Sequence, residues 1–183
     1  MKIVFLDRDG VINQYPGDND YVIKVKDLHI LPKVLPAIKR LKNAKYKVFI
    51  ISNQACVGRG IILQKKLDQI TAKFVKAARQ KGIKFDGIYY CTHRPDENCA
   101  CRKPEIGNIK KVLARLGKSS LSLKNSFFIG DTQRDVNTGY NAGIKTILVE
   151  TGRDRFKSVR WGKQKPHYVA ADLQAAVDII LKP

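Results

Sequence analysis

Short apolar runs alternate with longer segments of helical periodicity along the chain. The apolar runs predict β-strands at 3–6, 47–52, 87–91, 126–130 and 146–149, with a small edge strand at 167–169. Between them, apolar residues recur every three or four positions, which predicts helices at 32–45, 64–80, 104–116, 135–142 and 171–181. Strands that alternate with helices form a parallel sheet with helices on both faces. We therefore predict one α/β domain over residues 1–183, with a three-layer αβα, Rossmann-like architecture.

Polar residues that carry chemistry follow three of the predicted strands. Asp7, Ser52 and Asp131 each lie just past the carboxyl end of a strand, where open parallel sheets bind their ligands. Asp7 is followed two positions later by Asp9, and residues spaced i and i+2 on a strand share one side. Two such carboxylates favour a Mg²⁺ site, a proton-transfer pair or a nucleophile beside an acid, although Asp-x-Asp-Gly also fits an ordinary turn. The agreement among the three strand ends favours the catalytic interpretation.

Three of the four cysteines are grouped with a histidine in a short polar segment. Cys91 and His93 are separated by five residues from Cys99 and Cys101. Three thiolates and one imidazole suit a tetrahedral zinc ion, and four protein ligands leave no open position, so such a zinc would be structural. The alternatives are that Cys91 simply ends a buried strand, or that Cys99 and Cys101 form a geometrically awkward disulfide. A bound metal would fix this loop, which leads directly into the Arg-Lys pair at 102–103.

Charge and composition narrow the possible partners. Of the 183 residues, 44% are hydrophobic, which is typical of a globular protein. The chain contains 35 Lys and Arg residues and 16 Asp and Glu residues, which gives a formal charge of +19. Such a charge attracts anions, either phosphorylated metabolites or nucleic acid. Because the lysines are dispersed and no basic-aromatic cluster suits single strands, nucleic acid is not expected as a partner. The lack of a long apolar segment, a signal pattern or a spare amphipathic seam predicts a monomeric cytoplasmic protein without a membrane partner.

Four sequence motifs together resemble the haloacid dehalogenase (HAD) superfamily of phosphatases. They are Asp7-Arg8-Asp9-Gly10-Val11-Ile12-Asn13, Ser52-Asn53-Gln54 with Arg59-Gly60, Cys101-Arg102-Lys103-Pro104 and Gly130-Asp131-x-x-x-Asp135. The cysteine-histidine loop, with no large cap insertion, is similar to the branch that holds heptose-bisphosphate and histidinol-phosphate phosphatases. The resemblance is greatest to the D-glycero-D-manno-heptose-1,7-bisphosphate 7-phosphatases. It implies a capless HAD-like fold with a zinc-binding loop, a phosphorylated sugar substrate, and release of the 7-phosphate through an aspartyl-phosphate.

The resemblance also implies roles for individual residues. Asp7 is the implied nucleophile, and Asp9 is the general acid that protonates the leaving oxygen and then the base that activates water. Ser52 and Lys103 are the implied contacts of the phosphoryl group. The residues implied to hold Mg²⁺ are Asp7, Asp9 through its backbone carbonyl, and Asp131, with Asp135 in support. The expected substrate-binding residues are Asn13, Tyr15, Asp18, Asn53, Arg59 and Arg102. The alternative interpretation of Arg59 is that it is an ordinary surface arginine without a role in binding.

Three other functions stay open on the sequence. The first is a histidinol-phosphate phosphatase. The loop between His93 and Cys99 is short, as in that branch, whereas Arg59-Gly60 favours the heptose enzymes. The charge of +19 is compatible with a polynucleotide 3′-phosphatase, which uses the same nucleophile motif. The third possibility is a non-catalytic binding module stabilised by zinc, which the complete set of motif residues disfavours.

Overall fold

The computed structural model describes residues 1–18, 20–117, 123 and 125–182. Its strands are β1 (Ile3–Leu6), β2 (Lys47–Asn53), β3 (Gly87–Cys91), β4 (Phe127–Gly130), β5 (Lys145–Val149) and β6 (Tyr168–Ala170). Its helices are α1 (Val34–Asn43), α2 (Gln64–Gln80), α3 (Gly107–Arg115), α4 (Gln133–Asn141) and α5 (Leu173–Leu181), with short 3-10 helices at Val25–Asp27, Pro95–Glu97 and Phe156–Ser158. Every predicted strand and helix is therefore present. Within these residues, no helix combines the length and the apolar character that a membrane crossing requires.

The strands of the described chain form one parallel sheet in the order β3-β2-β1-β4-β5-β6. The chain runs outward from β1 through β2 to β3, then crosses to β4 on the other side of β1 and continues to β6. The strand order therefore reverses between β1 and β4, and in parallel sheets such a switch point opens a crevice at the carboxyl ends of the strands. Asp7 follows β1 and Asp131 follows β4, so both carboxylates lie at this point. The predicted α/β architecture is confirmed.

Apolar side chains alternate between the two faces of the sheet and join helices to both. Val4 and Leu6 of β1 belong to a core shared with α1, α2 and α5. Ile3 and Phe5 belong to the opposite core, which includes α3. There the ring centroid of Phe5 lies 6.0 and 6.1 Å from those of the phenylalanines at 49 and 128. Each fully buried side chain of this size stabilises the fold by roughly 1.5–3 kcal/mol. The two cores thus fix the strand ends that carry the candidate site.

The α3 helix begins three residues later than its apolar spacing predicts, at Gly107 and not at 104. The Glu105 amide donates to the Arg102 carbonyl, and the Gly107 amide donates to the Ala100 carbonyl, each at 2.8 Å. These bonds close turns across residues 100–107, so the segment before Gly107 is occupied by a folded loop. The loop leads from the cysteine-histidine segment to the helix.

The α4 helix begins earlier than predicted because it has a capping box. The Thr132 hydroxyl accepts a hydrogen bond from the Asp135 amide at 3.4 Å, and the Asp135 carboxylate accepts one from the Thr132 amide at 3.1 Å. Helix α4 therefore starts at Gln133 and places Asp135 in its buried first turn. The remaining boundaries differ from the predictions by two residues at most.

Candidate active site and metal sites

The carboxyl ends of β1 and β4 bring three carboxylates and one ammonium group together. Asp7, Asp131 and Asp135 each offer an oxygen atom, and these atoms lie within 4.8 Å of one another. Among them, Lys103 Nζ lies 2.8 Å from Asp7 Oδ2 and 2.6 Å from Asp135 Oδ1. All four side chains are buried. The switch point of the sheet therefore holds a buried cluster of charges.

The charges of this cluster do not balance within the protein. Burial raises the pKa of Asp7, and the ammonium group of Lys103 opposes that rise. Burial also raises the pKa of Asp131 well above its ordinary value, and the charges of Asp135 and Asp7 raise it further. Within the described chain Asp131 forms no salt bridge, and its Oδ2 accepts a hydrogen bond from the Arg153 amide at 2.8 Å. Three carboxylates around one ammonium group leave negative charge that either a proton or a further cation balances, and their oxygen atoms are ligands of the kind that Mg²⁺ prefers.

Asp9 lies beside this cluster with partners of its own. The buried Arg8 donates from Nε to Asp9 Oδ1 and from Nη2 to Oδ2, each at 3.0 Å. Gln54 Nε2 donates to Oδ2 at 2.9 Å, and Asn13 Nδ2 donates to Oδ1 at 2.8 Å. Burial alone would raise the pKa of Asp9, but the charge of Arg8 and these hydrogen bonds hold the pKa below its ordinary value. The protein therefore fixes Asp9 as a carboxylate in one orientation.

The end of β2 contributes a hydroxyl and an amide. Ser52 is buried, and its Oγ accepts a hydrogen bond from Gln54 Nε2 at 3.2 Å. Asn53 uses both ends of its side chain on the backbone of Lys103: Oδ1 accepts from the Lys103 amide at 3.0 Å, and Nδ2 donates to the Lys103 carbonyl at 3.2 Å. These two bonds hold Lys103 next to the carboxylate cluster. Asn53 also lines the cleft described next, and its contact with substrate stays a prediction.

An open cleft of about 300 Å³ lies outside the carboxylates. Its lining includes Asp9, Asn53 and Asp131 together with Tyr15, Arg59 and Arg102. Tyr15 Oη donates to Asp18 Oδ1 at 2.6 Å, and Asp18 Oδ1 also lies 2.8 Å from Arg153 Nε. Burial raises the pKa of Tyr15, and so does Asp18. Asn13, by contrast, is fully buried beneath Asp9, so the structure places it as a support for that carboxylate.

A larger groove of about 1060 Å³ runs along α2 and β3. Of the residues predicted to act in catalysis, substrate binding or metal binding, none lines this groove. Its walls carry a single carboxylate, Asp68, which accepts a hydrogen bond from Gln64 Nε2 at 2.8 Å. The residues predicted to carry the chemistry therefore lie at the smaller cleft at the switch point and not in this groove.

Four residues of the site were not predicted from the sequence as functional. They are Arg8, Gln54, Arg134 and Arg153. Gln54 lies within the Ser-Asn-Gln motif, so a signal for it was present. Arg8 stands between the two aspartates. In a continuing strand its side chain would point away from both of them, but β1 ends before the motif, so this alternation does not apply to Arg8. Arg134 and Arg153 reach the cleft through the packing of α4 and of the segment after β5, and no local pattern indicates that placement.

The cysteine-histidine set converges in space. The Sγ atom of Cys99 lies 3.4 Å from that of Cys91 and 3.6 Å from that of Cys101, and His93 Nδ1 lies 3.7 Å from Cys91 Sγ and 3.3 Å from Cys101 Sγ. Tetrahedral zinc places neighbouring sulfur and nitrogen ligands about 3.6–3.8 Å apart. Burial, with the neighbouring thiols, raises the pKa of Cys91 to about 12, an effect that a bound divalent cation reverses. The cysteines are free thiols, so the alternative disulfide is not formed. The donor atoms and their spacing fit a four-coordinate metal site.

The cysteine-histidine loop, residues 91–101, is packed directly against the segment that carries Lys103. A side-chain carbon at Gly107 would overlap the carbonyl of Ala100, so the first turn of α3 approaches the loop backbone closely. Asn108 Nδ2 donates to the Cys101 carbonyl at 3.3 Å. Since Lys103 follows Cys101 by two positions, the shape of the loop is transmitted to the wall of the active site.

Comparison with known proteins identifies relatives that are similar in sequence and in fold. A family model described as HAD-hydrolase-like matches residues 100–176. The D-glycero-beta-D-manno-heptose-1,7-bisphosphate 7-phosphatase of Bordetella bronchiseptica is 36% identical over 183 residues, which cover 100% of this chain and 99% of that protein. The crystal structure of the D,D-heptose 1,7-bisphosphate phosphatase from B. bronchiseptica, complexed with magnesium and phosphate, superimposes with a TM-score of 0.88 and 34% identity, covering 99% of this chain and 98% of that one.

A further relative is a longer protein. The histidine biosynthesis bifunctional protein HisB of Blochmanniella floridana is 34% identical over 170 residues, which are 92% of this chain. The match spans 47% of that protein, so this chain corresponds to about half of its length. The Bordetella phosphatase matches along nearly the whole of both chains. The resemblance predicted from the motifs is confirmed: the chain belongs to the D-glycero-D-manno-heptose-1,7-bisphosphate 7-phosphatase family of HAD-like hydrolases.

Proposed function

We propose that this chain is a Mg²⁺-dependent phosphatase that releases the 7-phosphate of D-glycero-D-manno-heptose 1,7-bisphosphate. The observation that carries the proposal is the buried contact of Lys103 with Asp7, beside Asp131 at the switch point of the sheet. Family membership supports the sugar bisphosphate as substrate. The magnesium and phosphate in the structure of the Bordetella enzyme support the metal and the reaction class.

In the first step, Asp7 supplies the nucleophilic oxygen. Its Oδ1 accepts a hydrogen bond from the Arg8 amide at 2.7 Å, while its Oδ2 faces Lys103. A bond forms between an Asp7 oxygen and phosphorus as the bond from phosphorus to the sugar oxygen breaks, and Asp9 gives a proton to that oxygen. The arriving phosphate dianion raises the proton affinity of Asp9, which its partners otherwise keep ionised. Lys103 and Ser52 stabilise the charge on the transferred phosphoryl oxygens.

In the second step, water attacks phosphorus and the aspartyl-phosphate is hydrolysed. Asp9 accepts a proton from this water, inorganic phosphate leaves, and Asp7 returns to its free carboxylate. The hydrogen bonds from Arg8 and Gln54 favour Asp9 as a carboxylate, which suits its work as a base. Asp7, Asp131 and the backbone carbonyl of Asp9 would hold Mg²⁺, which when bound offsets the repulsion between these carboxylates and the phosphate.

The four-residue cysteine-histidine set is proposed to hold a structural zinc ion. Three thiolates and one imidazole at the observed spacing support zinc over metals that prefer oxygen ligands. Free thiols agree with the predicted cytoplasmic location, which stays a prediction together with the monomeric state. The match along 99% of the Bordetella enzyme supports the prediction that residues 1–183 form a single catalytic domain.

The charge of the cleft favours a bisphosphate over histidinol phosphate. Four arginines, Arg59, Arg102, Arg134 and Arg153, line the cleft, and of these Arg153 is paired with Asp18. Histidinol phosphate carries one phosphate and an ammonium group, and a cationic wall repels the latter. A sugar bisphosphate brings a second anionic group to the same wall, which makes it the better match.

Phosphate release with Mg²⁺ from a small panel of substrates tests the proposal. The panel contains both anomers of heptose 1,7-bisphosphate, fructose 1,6-bisphosphate, histidinol phosphate and a 3′-phosphorylated oligonucleotide. We expect the highest kcat/KM with one heptose anomer. A higher kcat/KM with histidinol phosphate would overturn the substrate assignment.

The mechanism is tested by Asp7→Asn, which is expected to abolish turnover because the amide cannot form the aspartyl-phosphate. Circular dichroism and thermal melting check that the fold is kept. The matched control is Asp178→Asn, which removes an exposed carboxylate of α5 and should leave kcat and KM unchanged. Turnover by Asp7→Asn comparable to that of the unmodified enzyme would contradict the assignment of the nucleophile.

A further inference from the structure

The connection from β5 to β6 carries a concentrated positive charge. Residues 151–168 contain six Lys and Arg residues and a single acidic residue, Asp154. One of the cations, Arg153, pairs with Asp18 at the cleft. The other five are exposed, lie outside the active-site cleft and form no salt bridge within the described chain: Arg155, Lys157, Arg160, Lys163 and Lys165. The connection therefore presents five positive charges to solvent.

The carboxylates beside this connection are bonded to backbone amides. Asp154 Oδ2 accepts a hydrogen bond from the Gln133 amide at 2.7 Å, and Glu150 Oε1 accepts one from the Phe156 amide at 3.1 Å. Neither carboxylate forms a salt bridge with a cation of the described residues. The acidic neighbours thus leave the positive charge of the connection free to attract anions.

Aromatic side chains lie among these cations and fix the connection in place. The rings of Phe156 and Trp161 stack with centroids 5.8 Å apart, and Trp161 Nε1 donates to the Phe156 carbonyl at 2.8 Å. Further along, Tyr140 Oη of α4 donates to the Lys165 carbonyl at 2.7 Å, and the Tyr140 ring stacks on His167. Phe156, Trp161 and Tyr140 are half-buried, so part of each side chain is accessible to a ligand.

The fold assembles this surface from separate parts of the chain, which is why dispersed lysines in the sequence do not reveal it. Tyr140 belongs to α4, and Lys145, at the start of β5, precedes the residue that bonds to His167. β6 is the outer strand of the described sheet, and its Tyr168 is 38% exposed. The expectation that the chain lacks a basic-aromatic cluster therefore does not hold at this edge of the sheet.

We propose that residues 155–168, together with Tyr140 and Lys145, form a surface that binds single-stranded nucleic acid. Cations along such a surface neutralise the phosphates of a flexible backbone, and accessible rings stack on unpaired bases. Bases within a duplex are stacked on one another and offer no face to the rings. An anionic membrane is a poorer match, because residues 151–167, all of which the structure describes, include no exposed large apolar side chain.

Fluorescence anisotropy with a labelled oligouridylate of about 12 nucleotides tests the proposal. The oligonucleotide ends in a 3′-hydroxyl group, so that binding is measured apart from any phosphatase reaction. The triple variant Arg155→Gln, Lys157→Gln, Arg160→Gln is expected to raise the Kd at least about tenfold at about 0.1 M salt. The slope of log K against log salt concentration should become shallower by about 2, since each neutralised phosphate contributes about 0.7.

The matched control is the triple variant Lys65→Gln, Lys66→Gln, Lys76→Gln. It removes three exposed cations of α2 and has the same net charge as the first variant, but α2 lies at the opposite, β3 end of the sheet. Its Kd for the oligouridylate should change by less than about threefold. Melting temperatures check that both variants are folded.

Trp161, the single tryptophan of the chain, gives a local readout in the unmodified protein. A base that stacks on the indole quenches its emission, so titration with oligouridylate should lower the fluorescence. Inorganic polyphosphate, which carries charge without bases, should leave the emission unchanged. This titration does not depend on the folding of any variant.

Four results would overturn the proposal. An equal rise in Kd in both triple variants would show that only the overall charge of the protein acts on the oligonucleotide. Absence of binding at about 0.1 mM protein would remove the surface altogether. Binding without a change in Trp161 emission, or equal quenching by polyphosphate, would exclude stacking on the rings. Tighter binding to vesicles of phosphatidylglycerol and phosphatidylcholine than to oligouridylate would assign the surface to a membrane.

Discussion

At the scale of single residues, the site is shaped by charges that the protein leaves without a counter-ion. Lys103 pairs with Asp7 and Asp135, whereas Asp131 is bonded to a backbone amide. Burial and its two carboxylate neighbours raise the pKa of Asp131. The folded chain without metal therefore carries a repulsive group of carboxylates, and binding of a divalent cation removes this repulsion.

Asp131→Asn is expected to raise the melting temperature of the metal-free protein by a few degrees and to reduce its stabilisation by Mg²⁺. The amide removes one charge from the repelling group, and it also removes a ligand of the cation. Thermal unfolding in EDTA and in excess Mg²⁺ measures both effects. Asp178→Asn, which loses only its exposed pair with Arg40, should keep the full stabilisation by Mg²⁺. A lower melting temperature of Asp131→Asn in EDTA would show that Asp131 is not in a repulsive environment.

At the scale of elements, the connection from β3 to α3 carries the proposed zinc set and Lys103, the proposed contact of the phosphoryl group, in one short segment. Cys99 and Cys101 belong to the cysteine-histidine loop, while Lys103 is also attached to β2 by the two hydrogen bonds from Asn53. Arg102 lacks such an attachment among the described residues. Loss of the metal should therefore disturb the substrate wall more than the catalytic lysine.

Cys99→Ser is expected to lower the zinc content of the purified protein and to change KM more than kcat. Removal of one ligand weakens the metal site, and the loosened loop carries Arg102 out of place while Asn53 keeps Lys103 near Asp7. We expect a KM about tenfold higher and a kcat lower by less than about threefold. Elemental analysis and steady-state kinetics measure the two effects. Cys56→Ala, outside the metal set, is the control for zinc content, and an unchanged zinc content in Cys99→Ser would contradict the proposed site.

A histidine just before β6 contacts β5 through its ring nitrogen. His167 Nδ1 accepts a hydrogen bond from the Thr146 amide at 3.1 Å, and its ring stacks on Tyr140 with centroids 5.0 Å apart. Burial lowers the pKa of His167, and Lys145 lowers it further. Because the pKa in the folded state lies below the unfolded value of about 6.5, protonation favours the unfolded chain. The stability from this contact is therefore present above about pH 6.5 and is lost as the pH falls below it.

His167→Asn is expected to weaken the dependence of stability on pH. The drop in melting temperature between about pH 7.5 and about pH 5 should be smaller in this variant than in the unmodified protein, because one proton uptake on unfolding is removed. Differential scanning calorimetry at the two pH values measures it. His29→Asn changes an exposed histidine and should keep the full drop. An identical drop in His167→Asn and the unmodified chain would exclude His167 as a source of the pH dependence.

The strand ends show how much of the site could be predicted from the sequence. Asp7, Ser52 and Asp131 could be placed together because each apolar run ends locally, and parallel topology then brings the ends to one edge. The buried pairing of Arg8 could not be predicted, since the chain turns directly after β1 and strand alternation no longer applies. The position of Arg134 depends on how α4 packs over the loop at 100–107, and contacts between distant segments leave no local pattern.

At the scale of the whole molecule, the charge of +19 and the position of the cleft act together. The cationic residues are dispersed over the surface, and the cleft carries four arginines. A field of this sign raises the local concentration of anionic ligands, most of all those that carry two phosphates. We therefore expect the surface charge to assist the approach of an anionic substrate to the cleft beside the buried cluster.

The kcat/KM for heptose 1,7-bisphosphate is expected to fall as ionic strength rises from about 0.05 M to about 0.5 M, and to fall more steeply than that for heptose 7-phosphate. Salt screens the attraction between the protein and the ligand, and the attraction is greater for the more highly charged ligand. Steady-state kinetics at constant Mg²⁺ measure both slopes. Sucrose at matched viscosity controls for slower diffusion. Equal salt slopes for the two ligands would show that the field of the molecule does not act on the second phosphate.

The two hydrogen bonds from Asn53 attach Lys103 to β2 independently of the residues between His93 and Cys99. Insertions or deletions in that loop change the wall of the cleft and leave the ammonium group beside Asp7. Natural variation in loop length can therefore alter which phosphate ester is accepted without a loss of catalysis along the way. A change of substrate through the loop therefore requires no change in the positions of the carboxylates and the lysine.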